Sequence, residues 1–149
     1  MARENFRLVT PVERVERKDL KLADTALANP NNANPLLDGE FLEYDANYKG
    51  VRAGGSILCW AVWSERGRSD VQALRQVPTL YMGTYEADTV IMDPAGPISL
   101  GDPLMVTNVT IDTLTKSGLK KWTTGLVIGY VTRIPSANNQ KLRFMQTLV

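Results

Sequence analysis

Hydrophobic and polar positions change their rhythm near residue 38. Before it, apolar residues are sparse and hold no sustained period. Thr10-Pro11-Val12-Glu13 reads as a helix start, with Thr10 as the cap, Pro11 at the first helical position and Glu13 completing a capping box. Val12 and Val15 share a helical face, but Asp19 breaks the stripe, so only a short helix is predicted. Residues 29–35 hold two prolines and four asparagines and read as a turn-rich linker. Beyond residue 38 the pattern becomes short strands cut by turns. Strands are predicted at 41–44, 57–63, 77–82 and 84–92, the last two split by Gly83. Residues 93–97 form a turn, followed by a strand at 98–100, a turn at 101–103 and a strand at 104–106. Val109, Ile111 and Thr113 alternate with Thr110 and Asp112, as in a half-buried strand, and Lys116-Ser117-Gly118 reads as a turn. Strands at 126–134 and 141–148 close the chain, the latter with Leu142, Phe144 and Leu148 on one face and Lys141, Arg143 and Thr147 on the other. Residues 69–75 fit a helical turn or a strand equally. The pattern predicts a mainly β chain, a small β-barrel or β-sandwich with an extended N-terminal arm. Its two regions are 1–38, arm and linker, and 39–149, the β-rich body.

Composition sharpens that division. All eleven glycines and ten of the eleven aromatic residues lie at or beyond residue 39, with Phe6 the exception. A segment so poor in aromatics has little to bury on its own. The arm is therefore expected to order on a partner through Phe6, Val12, Val15, Leu20, Leu22 and Leu27; a disordered tail is the alternative. The run 57–63 is apolar on both faces, with Ile57, Cys59, Ala61 and Trp63 on one and Leu58, Trp60 and Val62 on the other. Both faces need cover. A neighbouring subunit or the packed arm would supply the second, which makes Trp60 and Trp63 the candidates for self-association. The exposed aromatics could also stack on sugars, but Trp60 and Trp63 have opposite parity and cannot form one flat platform.

The net charge of +1 argues against a nucleic-acid binder that works by bulk electrostatics. Its distribution is uneven. Residues 38–112 carry eleven acids against five bases, or −6, and residues 116–149 carry six bases and no acid, or +6. Pairing of adjacent strands within one chain would use that asymmetry, and so would head-to-tail contact between identical subunits.

Candidate chemistry is thin. The chain has no histidine, which excludes Ser-His, Cys-His and His-metal sites within it. Its one cysteine, Cys59, lies in an apolar run and reads as core packing. Asp38 with Glu40, Glu43 with Asp45, and Glu86 with Asp88 sit at alternate positions and share strand faces, where they read as solvated acids. Ser117 beside Lys116 reads as turn chemistry, and Asn108-Val109-Thr110 as a chance glycosylation pattern. Neither GxGxxG nor GxxxxGK[ST] occurs. The ten N-terminal residues lack a secretory core, and the longest apolar run is too short to span a bilayer. A soluble protein without metal, cofactor or enzymatic activity, made in a reducing compartment, is expected.

Several phrases of the body have a familiar layout. NPLLDGEFLE (34–43) opens it and SERGRSD (64–70) follows the apolar strand. GTYEADT (83–89), SLGDPL (99–104), GYVTR (129–133) and LRF (142–144) come after. Over residues 34–149 this resembles structural proteins of tailed bacteriophages, in particular head decoration (capsid cement) proteins. The resemblance implies a non-enzymatic virion protein that decorates and stabilises the outer capsid surface by bridging capsid subunits. It implies two partners, the major capsid protein through the arm and further copies of the chain itself, as a homotrimer or a dimer. Neither nucleic acid nor membrane is implied, and the location is the virion surface after synthesis in the host cytoplasm. Other β-rich virion parts, a tail-tube or fibre module, and a carbohydrate-binding adhesin module are the alternatives.

Overall fold

The computed structural model describes residues 5–29, 31–54, 58–63, 76–93 and 97–147. Eleven strands lie among them: β1 (Phe6–Leu8), β2 (Glu16–Lys21), β3 (Phe41–Tyr44), β4 (Gly50–Arg52), β5 (Trp60–Val62), β6 (Gln76–Met82), β7 (Tyr85–Thr89), β8 (Pro103–Ile111), β9 (Leu114–Lys121), β10 (Gly129–Arg133) and β11 (Leu142–Gln146). A six-stranded sheet runs β1-β7-β11-β10-β8-β9, and a five-stranded sheet runs β2-β6-β5-β3-β4. All strand pairs are antiparallel. The larger sheet curls into a half-barrel. The chain leaving β7 reaches its far edge, where Met92 bridges Leu119 and the Leu119 N–H donates to the Ile91 carbonyl at 3.0 Å. Gly118 makes this approach possible, since a Cβ there would lie 2.6 Å from the Ile91 oxygen. The smaller sheet is tied in a similar way: Leu22, just past β2, bridges Gly50 on β4.

Two apolar clusters form the interior. One gathers side chains from both sheets, among them Phe6, Phe41, Leu80, Tyr85, Leu104 and Phe144. The other holds Leu20, Leu22, Ala28, Leu36, Leu42, Trp60, Val62 and Val77. β5 divides between them: Cys59 and Ala61 enter the first, Trp60 and Val62 the second. Both faces of β5 itself are therefore covered, the second by Leu20, Leu22, Ala28 and Leu36 of the same chain, whereas Leu58 of the predicted 57–63 run is 51 % exposed.

An arm standing off the body is not what residues 5–38 form. β1 adds a strand to the larger sheet through Phe6↔Thr89, Arg7↔Asp88 and Leu8↔Ala87. β2 adds one to the smaller sheet along the whole of β6. Five of the six β2 residues are exposed and only Leu20 is buried, so this edge strand shows no hydrophobic alternation to read. The predicted helix start is a single 3-10 turn, Val12–Arg14, and Thr10 Oγ1 instead accepts the Glu86 N–H at 2.8 Å. A second 3-10 turn, Thr25–Ala28, is capped by the Asp24 carboxylate. The linker is fixed by a buried polar brace. Glu40, fully buried, accepts from Arg52 Nε at 2.7 Å, the Leu37 N–H at 2.7 Å and the Ser117 N–H at 2.9 Å. Arg52 Nη2 donates to the Asn34 carbonyl, Lys116 Nζ to that of Pro35, and Ser117 Oγ to that of Ala53.

Other predicted elements shift. Residues 103–111 make one strand rather than two, and the reversal falls at Asp112-Thr113, both with positive φ. Lys116-Ser117-Gly118 lies inside β9 and is not a turn, because the glycine serves close packing there. No strand forms at 98–100. Ile57, the 64–75 segment, most of the 93–97 turn and Leu148 lie outside the described residues.

Candidate interaction face

The inner face of the half-barrel carries Tyr85 and Ala87 of β7, Leu142 and Phe144 of β11, and Val131 of β10. Alternation then turns Glu86, Asp88, Arg143 and Met145 outward. Strand register aligns these outward residues in two rows. One runs Pro103, Tyr130, Met145 and Glu86 across β8, β10, β11 and β7. The other runs Arg133, Arg143, Asp88 and Arg7 across β10, β11, β7 and β1. The rows lie two residues apart along the strands, or about 7 Å.

A β-bulge sets the second row. Val131 pairs with Phe144 and Arg133 with Arg143, leaving Thr132 as the extra residue. The bulge brings Thr132 and Arg133 to bear on the acids of β7. The Thr132 hydroxyl donates to Glu86 Oε2 at 2.8 Å. Arg133 Nη2 sits 3.2 Å from Asp88 Oδ1. Arg143 grips the same carboxylate through both its oxygens, Nε to Oδ1 at 2.8 Å and Nη2 to Oδ2 at 3.1 Å. Directly opposed arginines repel, and Asp88 is the shared counterion that holds them in register. Burial alone pushes the Asp88 carboxyl up, but the Arg143 hydrogen bonds and the charges of Arg133, Arg143 and Arg7 outweigh it, leaving it below the usual carboxylate range. Apart from Glu86 at its β7 end, the first row is apolar and open. Tyr130 is 41 % exposed and Met145 37 %. Trp122, 38 % exposed, is held beside Pro103 by its N–H on the Pro103 carbonyl, with its indole N–H on the Gly125 carbonyl.

The residues singled out from sequence lie elsewhere. Phe6 and Val15 are in the inter-sheet cluster and Leu20 and Leu22 in the second one, so these arm candidates are buried in the chain itself. Leu27 packs against the second cluster, and Val12 is half-buried on its 3-10 turn. Trp60 is buried, stacked on Tyr81 at 5.1 Å. Trp63 is half-buried against the first cluster, with the Arg17 guanidinium 5.7 Å from its ring centre. Glu86 and Asp88 share a face as their spacing requires, yet neither is a solvated acid of a bare strand. Among the described residues, no group of three or more acids or thiols could hold a metal ion. Of the opposed charge blocks, Lys116 reaches Glu40 at 4.0 Å, Lys121 reaches Asp102 at 3.4 Å, and Arg133 and Arg143 share Asp88. Intramolecular pairing thus accounts for much of the asymmetry.

No family model, curated protein or solved structure matches this chain. Two further surface features stand out among the described residues. An aromatic group joins Tyr44 to Trp60 and Tyr48, with the Lys18 ammonium 4.7 Å from the Tyr81 ring centre. A cleft of about 640 Å³ opens beside the β8–β9 turn between Val90, Met92, Ile98, Ile111 and Ile134. The arginine row escaped sequence reading because its members are 126 or more positions apart at the extremes, Arg7 against Arg133 and Arg143; only the outward parity of Arg143 and of the Glu86–Asp88 pair hinted at it.

Proposed function

We propose that this chain is a non-enzymatic structural protein of a tailed-phage virion, decorating the outer capsid surface and stabilising it by bridging capsid subunits. The outer face of the half-barrel carries this reading. Tyr130, Met145 and Trp122 are exposed there beside an arginine row aligned by strand pairing, with Arg133 and Arg143 ion-paired to Asp88. Aromatics and arginines next to one another are the residue types that dominate protein interfaces. The layout of residues 34–149 supports the same class. A cement protein that binds the assembled shell more tightly than its precursor stabilises that shell by linkage, and many copies allow each contact to be modest. Since Phe6, Val15, Leu20 and Leu22 are interior, the capsid contact is assigned to this face rather than to an arm. Self-association as a homotrimer belongs to the same reading and rests on the resemblance.

The test compares capsids with and without the protein, heated side by side. Capsids lacking it should rupture at a lower temperature; equal temperatures overturn the reading. Imaging of the native particle separates head from tail, and mass measurement gives the oligomeric state. A carbohydrate-binding adhesin module is the second reading, favoured by Tyr48, 80 % exposed and edge-on to Tyr44. Glycan-array binding that is lost in Tyr48→Ala would replace the first reading with this one.

A further inference from the structure

We propose that the outer face of the half-barrel is a docking site for an acidic, apolar-bearing segment of a partner protein. Its carboxylates would meet Arg7, Arg133 and Arg143, and its apolar side chains would cover Tyr130 and Met145. The proposal rests on the reading of the chain as a docking component and adds the chemistry of what it docks to.

Charge complementarity carries it. Arg133 and Arg143 are ion-paired to Asp88, and Arg7 is its register partner on β1. With Glu86 of the first row counted, the face carries three bases against two acids. Arg143 holds both oxygens of Asp88, and Arg133 shares Oδ1. Arg133 Nε and Nη2 are buried, and neither makes a hydrogen bond among the described residues, although Nη2 lies in ion-pair range of Asp88. The Arg133 side chain is nevertheless 36 % exposed, so a carboxylate arriving from outside meets the exposed part of its guanidinium group. Arg7 is exposed on the edge strand β1 and extends the row by one more donor. The open apolar row about 7 Å away decides between classes of anionic partner. Nucleic acid would meet exposed Tyr130 and Met145 with a phosphate backbone, whereas a protein segment alternating acidic and apolar side chains matches both rows.

The test uses the full chain and three fluorescein-labelled probes: a peptide alternating Glu and Val, its counterpart with Lys for Glu, and a dodecameric oligothymidylate. Fluorescence anisotropy at low salt should show the Glu peptide binding and the Lys peptide not. Arg7→Gln and Arg133→Gln should each weaken the Glu peptide by about fivefold, as loss of a partly exposed charge pair does. Tyr130→Ser should weaken it without changing its salt dependence. Circular dichroism checks that each variant is folded; should Arg133→Gln fail to fold, Arg7→Gln alone decides. Equal binding of both peptides, no Glu-peptide binding, indifference to the arginine substitutions, or tighter binding of the oligonucleotide would each overturn the proposal. None of these bears on the capsid-rupture comparison, so the two readings fail separately.

Discussion

Asp88 is the residue on which the outer face depends. It is 3 % exposed and holds two arginines of adjacent strands that would otherwise repel. Removing the charge of a buried, paired carboxylate leaves its partners uncompensated. Asp88→Asn is expected to lower stability by about 3 kcal/mol at pH 7, read from urea unfolding. Because the folded-state pKa lies below the unfolded one, the stabilisation is fully present above the ordinary value of about 3.9 and fades as pH falls through the lowered folded value. The variant should lack that acid-side decline, so the two proteins should converge at low pH. Cys59 is a second residue with a defined behaviour. Burial, with the Glu43 carboxylate adding to it, pushes its thiol up to about 12. At pH 8 iodoacetamide should label it at least about a hundredfold more slowly in the native protein than in urea.

At the scale of elements, the β8–β9 hairpin carries local strain. Its two-residue turn, Asp112-Thr113, holds φ of 49° and 68°, a conformation suited to Asn-Gly. A β-branched residue is disfavoured in the left-handed region. Thr113→Gly is therefore expected to stabilise the protein by about 1 kcal/mol, the gain from relieved strain being offset in part by a more flexible unfolded chain. A raised urea midpoint with unchanged slope would show it, and a lowered midpoint would refute it. The same hairpin explains why Lys116-Ser117-Gly118 misleads as a turn signal: its glycine answers to Ile91, some 27 positions earlier in the chain, and not to its own neighbours.

The whole molecule is held together by its N-terminal quarter. β1 and β2 belong to different sheets; Phe6 and Val15 enter the first apolar cluster, and Leu20, Leu22 and Ala28 the second. Deleting residues 1–33 would uncover Trp60 and Val62 and strip an edge strand from each sheet. The truncated chain is expected to lose its β circular-dichroism signal and its cooperative melt, because several buried side chains worth about 2 kcal/mol each are lost at once. A truncated chain that still melts cooperatively would show that the segment is dispensable.

Much of the β character was written in local sequence. Period-2 alternation and turn residues located β3, β5, β6, β7, β10 and β11, and the two-faced apolar run at β5 by itself required cover on both sides. That information is local: parity, turn chemistry and side-chain polarity act over a few residues. β1, β2 and β9 were not legible, since a mostly polar edge strand is defined by the backbone groups it pairs with rather than by its own pattern. The same holds for the outer face. Arg7, Asp88, Arg133 and Arg143 are ordinary charges in the sequence, and strand register alone brings them into one row. Which segment covered the second face of β5 was likewise a matter of tertiary structure. Sequence required an apolar partner there, and only the folded chain, through Leu20, Leu22, Ala28 and Leu36, decided that the partner was itself.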